Sequence, residues 1–181
     1  MPEELDVLKI VCQRLQQSKI LYMITGSIAS NFYTQPRMTR DIDIVIEIKS
    51  EDVELIYNAF QNDFYIDKQM VMDAIEEQSS FNIIHNEYII KVDFIVRKNE
   101  EYRKVEFARR SKIRLGGTSL WITAAEDLIL SKLFWAKVSE SEIQLKDVKN
   151  LLESVKHLDM KYIKKWVNKL NLDKIYLKVK L

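Results

Sequence analysis

Asp41 and Asp43 stand at alternate positions at the head of an apolar, β-rich run, and a Gly26-Ser27 turn lies a short helix and a loop before them. Along an extended chain, residues i and i+2 point to one face about 6–7 Å apart. Both carboxylates can therefore hold divalent cations at a shared phosphate. Gly26 has no Cβ to obstruct that phosphate. Ser27 brings a hydroxyl and a backbone N–H to the start of a helix, where free N–H groups and the helix dipole favour anions. The chain has only three glycines, so one placed between an apolar strand and a helix carries weight. Phosphate cradle plus metal carboxylates reads as nucleotidyl transfer from a nucleoside triphosphate (NTP). That chemistry holds the α-phosphorus in line with an acceptor oxygen and neutralises the departing pyrophosphate. Two Mg²⁺ ions about 3.5–4 Å apart accomplish both, and Mg²⁺ prefers carboxylate and phosphate oxygens. Mn²⁺ is the alternative ion.

The elements that must position these groups follow from periodicity. Leu5, Leu8, Val11 and Leu15 recur at helical spacing, so the chain opens on an amphipathic helix. Residues 20–24 read as a short strand ending at Gly26, and a helix from Ser27 to about Tyr33 is stopped by Pro36. From Asp41 to Ile48 the alternation is strict: Ile42, Ile44, Ile46 and Ile48 face the core and the aspartates face the open side. Ser50 is expected to cap a helix from Glu51 to about Gln61. Short strands are expected near 64–66 and 81–84, around a polar segment that carries no clear signal. A longer strand is expected from Tyr88 to Val96, then a charged helical stretch. Gly116-Gly117 suits a tight hairpin turn. Thr123 and Glu126 fit a capping box for a helix to about Val138, followed by helices over 140–155 and 159–170.

The order of these motifs resembles the nucleotidyltransferase superfamily founded on DNA polymerase β, on its AbiEii-type toxin and minimal nucleotidyltransferase side. The matching residues are Gly26 and Ser27, Arg37 and Thr39, and Asp41 and Asp43; the third carboxylate of the family pattern falls on Asp93. Ile28-Ala29-Ser30-Asn31 replaces the Ala-Arg-Gly of the minimal branch. The resemblance implies an α/β nucleotidyltransferase fold: a mixed, twisted sheet of about five strands backed by helices, with a C-terminal helical bundle. It implies that Asp41 and Asp43 are shared by both ions and that Asp93 serves the acceptor-side ion. It also implies that Lys132, in Glu126-Asp127-Leu128 through Leu133, reaches the triphosphate. Asp147, after Lys146, then orients Lys132 or an acceptor. The nucleotide-binding set is thus Gly26, Ser27, Arg37, Thr39, Lys132 and Asp147. The expected division is a catalytic core, 1–122, with the helical region 123–181 packed on it.

Simpler readings stand beside these. Asp41 and Asp43 also fit a solvated strand face, and Lys91 lies on the face of Asp93 and could simply pair with it. Ser27 fits a plain helix cap, and Arg37 and Arg40 fit either nucleotide contact or support of the neighbouring aspartates. His85 and His157 have no metal-ligand spacing.

Composition bounds the class. With 181 residues, 47% of them hydrophobic, the chain can bury a core and disorder is a poor reading. A net charge of +1 excludes a general polyanion coat but not a local basic patch. Two basic clusters, one over 97–114 and one including Lys161, Lys164, Lys165, Lys169 and Lys180, suit an RNA backbone or plain solvation. The single cysteine, Cys12, excludes an internal disulfide. No leader or membrane-spanning run is legible, so a cytoplasmic protein with no membrane partner is expected. The partners expected are an NTP, an RNA or tRNA acceptor, and a cognate antitoxin or toxin. Two rivals stay open: nucleotidylation of a small hydroxyl compound such as an antibiotic, and a non-catalytic nucleotide- or partner-binding protein.

Overall fold

The computed structural model describes residues 2–179. In chain order it contains α1 (Pro2–Gln17), β1 (Leu21–Thr25), α2 (Gly26–Tyr33), β2 (Ile42–Glu47) and a 3-10 turn (Ser50–Asp52) leading into α3 (Val53–Phe60). Then come β3 (Phe64–Tyr65), α4 (Lys68–Glu77), β4 (Ser80–His85), β5 (Lys91–Val96), α5 (Glu101–Ala108), β6 (Ser111–Leu115) and β7 (Thr118–Ile122). The remainder is helical: α6 (Ala125–Ser139), α7 (Glu142–Ser154), α8 (Met160–Lys169) and α9 (Asp173–Leu177).

One mixed sheet of seven strands runs in the order β3-β4-β5-β2-β1-β7-β6. β2 pairs antiparallel with β1 and parallel with β5, while β7 lies parallel to β1. The alternation of β2 is realised as expected: Ile42, Ile44 and Ile46 are fully buried and Asp43 and Val45 are half-buried on the other face. The sheet holds seven strands against the expected five or so, although the short strand near 64–66 and the hairpin around Gly116-Gly117 are both legible in the sequence. β3 has two residues, and β6 is an edge whose outer positions carry the exposed Lys112 and Arg114, which disfavour edge-to-edge pairing. Gly116 and Gly117 turn β6 into β7 with φ of 54° and 84°, the double positive φ that a two-residue hairpin requires.

Local chemistry moved several boundaries. The unassigned polar segment is α4, nucleated by Asp67, whose Oδ1 accepts the N–H groups of Gln69 (2.8 Å) and Met70 (3.1 Å). β5 starts at Lys91 rather than Tyr88. His85 Nδ1 accepts the N–H groups of Glu87 and Tyr88, and Ile89 takes a φ of 52°, so the chain turns there. The helix expected from Glu51 opens instead as a 3-10 turn. The helix expected to be capped by Thr123 starts one residue later. α6 begins after Ala124, Thr123 is fully buried, and Glu126 accepts the N–H of Asp159 at 3.1 Å.

The chain forms two compact units. Met1–Ile28 and Met38–Ile122 make the first, which holds the whole sheet; Ala29–Arg37 and Thr123–Leu181 make the second. In the first unit Phe60, Phe64, Phe81 and Phe94 form an aromatic cluster with centroid separations of 5.2–5.7 Å. Arg14 on α1 closes its rim with two 2.6 Å bonds to the Asp63 carboxylate. That bond holds the Asp63 carboxyl below the ordinary carboxylate pKa. In the second unit α6 buries most of its circumference, and the Tyr162 hydroxyl of α8 donates to the fully buried Asp127 at 2.5 Å. Among the described residues, no helix is long and apolar enough to cross a membrane.

Candidate active site

The carboxylates of the first unit lie in a row set by strand register. Thr25 of β1 pairs with Asp43 of β2, Asp43 with Asp93 of β5, and Asp93 with Asn82 of β4. Register partners share a face, so Asp43 and Asp93 stand side by side on neighbouring parallel strands. Gly26 follows Thr25 directly and opens α2 with a φ of 63°. A Cβ there would lie 2.7 Å from Asp43 Cγ and nearer still to Oδ2. The Asp43 carboxylate therefore occupies the space that a side chain on residue 26 would fill. Ser27, half-buried, is the next residue of the helix.

Asp41 precedes β2 and is 60% exposed. It reaches the row through a cation: Lys91 Nζ lies 2.8 Å from Asp93 Oδ2 and 3.9 Å from Asp41 Oδ1. The hydrogen bond to Asp93, together with the charges of Asp93, Asp41 and Asp43, holds the ammonium above its ordinary pKa despite partial desolvation. Carboxylate oxygens are the donor type that a hard divalent ion prefers, and one of them, on Asp43, lies against Gly26. The three aspartates are not drawn into a closed cluster, however. Among the described residues, no group of three or more His, Cys, Asp or Glu is gathered closely enough to hold a metal. Thr39 and Arg40 lie in the segment before β2, half-buried and exposed respectively.

The second unit holds a separate ionic centre. Arg37 grips Asp147 with both arms, Nε to Oδ1 at 3.2 Å and Nη2 to Oδ2 at 3.0 Å. Lys132 Nζ donates to Asp147 Oδ2 at 2.8 Å and to Gln144 Oε1 at 3.2 Å. Asn31 fixes the Arg37 backbone, accepting its N–H at 3.0 Å and donating to its carbonyl at 2.8 Å. Burial pushes the Asp147 carboxyl up, but Arg37 and Lys132 outweigh it and the net pKa is lowered. The Lys132 and Asp147 side chains are 3% and 4% exposed, whereas Arg37 is 39% exposed. Asp147 thus bonds both Arg37 and Lys132. Sequence reasoning had no signal for Asn31, Gln144 or Asn82, whose parts depend on partners remote in the chain.

Part of the basic cluster over 97–114 is engaged within the fold. Arg97 Nε donates to Glu47 at 2.5 Å, Arg103 to Glu106 at 2.8 Å, and Arg110 stacks over Phe107 and Trp121. Lys161, Lys164, Lys165 and Lys169 on α8 are exposed, and Lys180 lies outside the described residues.

No protein-family model and no curated protein matches the chain. Solved structures do. An antigenic nucleotidyltransferase-like protein from Paracoccidioides brasiliensis aligns over 98% of this chain and 93% of its own, at a TM-score of 0.60 and 15% identity. The lincosamide antibiotic adenylyltransferase LnuA, solved with lincomycin bound, aligns over 86% of this chain and 98% of its own (TM-score 0.57, 14% identity). A putative nucleotidyltransferase from Thermotoga maritima covers 80% of this chain and 92% of its own (TM-score 0.55, 19% identity). ANT(2")-Ia, solved with adenylyl-2"-tobramycin, covers 99% of this chain and 98% of its own (TM-score 0.53, 11% identity). The seven-stranded mixed sheet, its helices and the end-to-end alignments together give this chain the nucleotidyltransferase fold.

Proposed function

We propose that the chain is a nucleotidyltransferase that moves a nucleoside monophosphate from an NTP to a hydroxyl acceptor and releases pyrophosphate. The observation that carries this reading is the fit of Gly26 to Asp43 within the carboxylate row, in a chain with this fold. Asp41, Asp43 and Asp93 are the ligands in this reading, and a divalent ion bound there would supply charge neutralisation at the phosphates. Gly26 lets the Asp43 carboxylate close against the turn, and Ser27 offers the triphosphate the hydroxyl and N–H of the α2 N-terminus. Asp93, on β5, is read as the group that takes the acceptor's proton. Thr39 is read as a further triphosphate contact; in the second unit Asp147 orients Arg37 and Lys132, the cations that the family resemblance assigns to the nucleotide.

For the acceptor, a small hydroxyl compound is favoured. Within the 97–114 cluster Arg97, Arg103 and Arg110 are engaged by Glu47, Glu106 and aromatic rings, which leaves fewer cations for a phosphate backbone. Lincomycin and tobramycin, the small molecules in two of the similar structures, belong to that class. RNA is the second reading, supported by the exposed lysines of α8. Incubation with each α-labelled NTP and Mg²⁺ or Mn²⁺, in the presence of lincosamides, aminoglycosides, total RNA or cell protein, tests both. Label in a small molecule supports the first reading and label in RNA the second. No pyrophosphate release with any acceptor would overturn the enzymatic assignment.

A further inference from the structure

The strand pairings that align the carboxylates also continue their face onto a neutral surface. Tyr65 of β3 pairs with Ile84 of β4, Ile84 with Lys91 of β5, and Asn82 with Asp93. Register partners and residues two apart share a face, so Tyr65, Ile84 and Asn82 lie on the side of Asp93. Phe64, Phe81, Ile83 and His85 fill the opposite, buried side. Tyr65 is 58% exposed, and Ile84 and Asn82 are half-buried. Among the described residues the Asn82 amide has no hydrogen bond, and the Tyr65 side chain has neither a hydrogen bond nor a ring contact. Directly opposed side chains stand about 5 Å apart across a sheet, so the row from Lys91 to Tyr65 runs about 10 Å. That length takes one six-membered ring and a substituent.

We propose that Asn82, Ile84 and Tyr65 form the acceptor subsite, and that the acceptor is an uncharged ring compound with adjacent hydroxyls and an apolar substituent. The inference rests on the nucleotidyltransferase reading and deepens it by naming the acceptor class. The reacting hydroxyl oxygen bonds the α-phosphorus, its proton passes to Asp93, and the α–β bridging oxygen leaves with pyrophosphate. Asn82, beside Asp93, offers both a donor and an acceptor to the neighbouring hydroxyl. Ile84 and Tyr65 give the apolar side of the ring and its substituent a row to pack on. Charge selects among acceptors. The open-face positions of β3 and β4, namely Tyr65, Ser80, Asn82 and Ile84, carry no carboxylate, whereas a polycation needs several along its length. The nearest cation, Lys91, already bonds Asp93, and one cation is too few to hold a phosphate backbone.

The test reads binding rather than turnover. Phenyl glucoside, phenyl galactoside and phenyl mannoside, the corresponding free sugars and the polycation neamine are titrated calorimetrically into protein loaded with α,β-methylene-ATP, which cannot be cleaved at the transferred bond. At least one phenyl glycoside should bind, at least about tenfold tighter than its free sugar and than neamine, the scale of burying one aromatic ring. Asn82→Ala and Tyr65→Ala should each weaken that glycoside at least about fivefold, the scale of one hydrogen bond or one ring contact, with affinity for the analogue unchanged. Tyr65→Phe, which keeps the ring, should bind as wild type does, and circular dichroism on every variant confirms folding. Equal glycoside affinity in wild type, Asn82→Ala and Tyr65→Ala would overturn the subsite, as would neamine binding tighter than every glycoside. Loss of a labelled single-stranded RNA in Tyr65→Ala, with the glycosides unaffected, would overturn the small-molecule class and give the face to a nucleic-acid base. If the analogue binds and no glycoside does, the subsite falls and the nucleotidyltransferase reading stands. If the analogue does not bind either, both fall.

Discussion

Gly26 and Asp43 are fitted to one another: the Asp43 carboxylate fills the place of a residue-26 side chain, and Gly26 holds a φ of 63° that other residues adopt only at a cost. Two constraints of independent origin, steric and conformational, thus fall on one residue. Gly26→Ala should lower folding stability by about 1–2 kcal/mol through the left-handed backbone alone. It should also displace Asp43 and weaken nucleotide binding. Urea denaturation and titration with a non-cleavable NTP analogue measure the two effects separately. Unchanged nucleotide affinity in a folded Gly26→Ala protein would remove Asp43 from the nucleotide site.

The two central carboxylates should separate binding from chemistry. Asp43→Asn is expected to stay folded and to lose the rise in melting temperature that Mg²⁺ plus NTP gives wild type. Asp93→Asn is expected to keep that rise and to transfer at least about a hundredfold more slowly, the usual scale for removing a positioned base. Single-turnover kinetics with a labelled NTP decide the second point, and full activity in Asp93→Asn would move the base elsewhere.

Asp147 links stability to pH. Its folded-state pKa is lowered, so the ionised carboxylate contributes stability at neutral pH. That contribution is lost as pH falls from the unfolded value, about 3.9, through the lower folded one. Asp147→Asn should therefore destabilise the protein at pH 7 by about 3–5 kcal/mol, because it leaves Lys132 buried beside a neutral partner. It should also flatten the decline in stability below about pH 4. Denaturant titrations across pH 2–7 check both signs; an unchanged acid limb would assign the acid sensitivity to other carboxylates.

Tyr162 and Asp127 give a test confined to the helical unit. Tyr162→Phe removes a donor to a fully buried carboxylate and should cost about 1.5–3 kcal/mol of folding stability. Thermal and urea melts read it directly, and a loss well under 0.5 kcal/mol would mean that the other bonds of Asp127 carry its charge.

Charge reversal on α8 discriminates the acceptors. Lys164→Glu with Lys165→Glu, both exposed, should leave transfer to a small hydroxyl compound unchanged. If RNA is the acceptor, the same pair should weaken its binding and shallow the salt dependence. Binding isotherms at several salt concentrations distinguish the cases.

Residues 42–48 show how much the sequence alone determined. Strict alternation forces isoleucine to one face and aspartate to the other, whatever the strand pairs with, because side chains alternate on any extended chain. The Gly116-Gly117 hairpin and the Gly26 turn were legible for a related reason, since the backbone angles they need are available to few residues. Short-range rules misled where a side chain competed for the backbone. Tyr88 to Val96 has the composition of one strand, yet His85 Nδ1 takes the Glu87 and Tyr88 N–H groups and the strand starts only at Lys91. The Lys91–Asp93 pair was legible from strand alternation, but only the folded chain decided that Asp93 is the register partner of Asp43, that Lys91 also approaches Asp41, and that Arg37 and Lys132 converge on Asp147. Strand register and ion pairing join residues far apart in the chain, and their energies depend on distance and burial that no local pattern encodes.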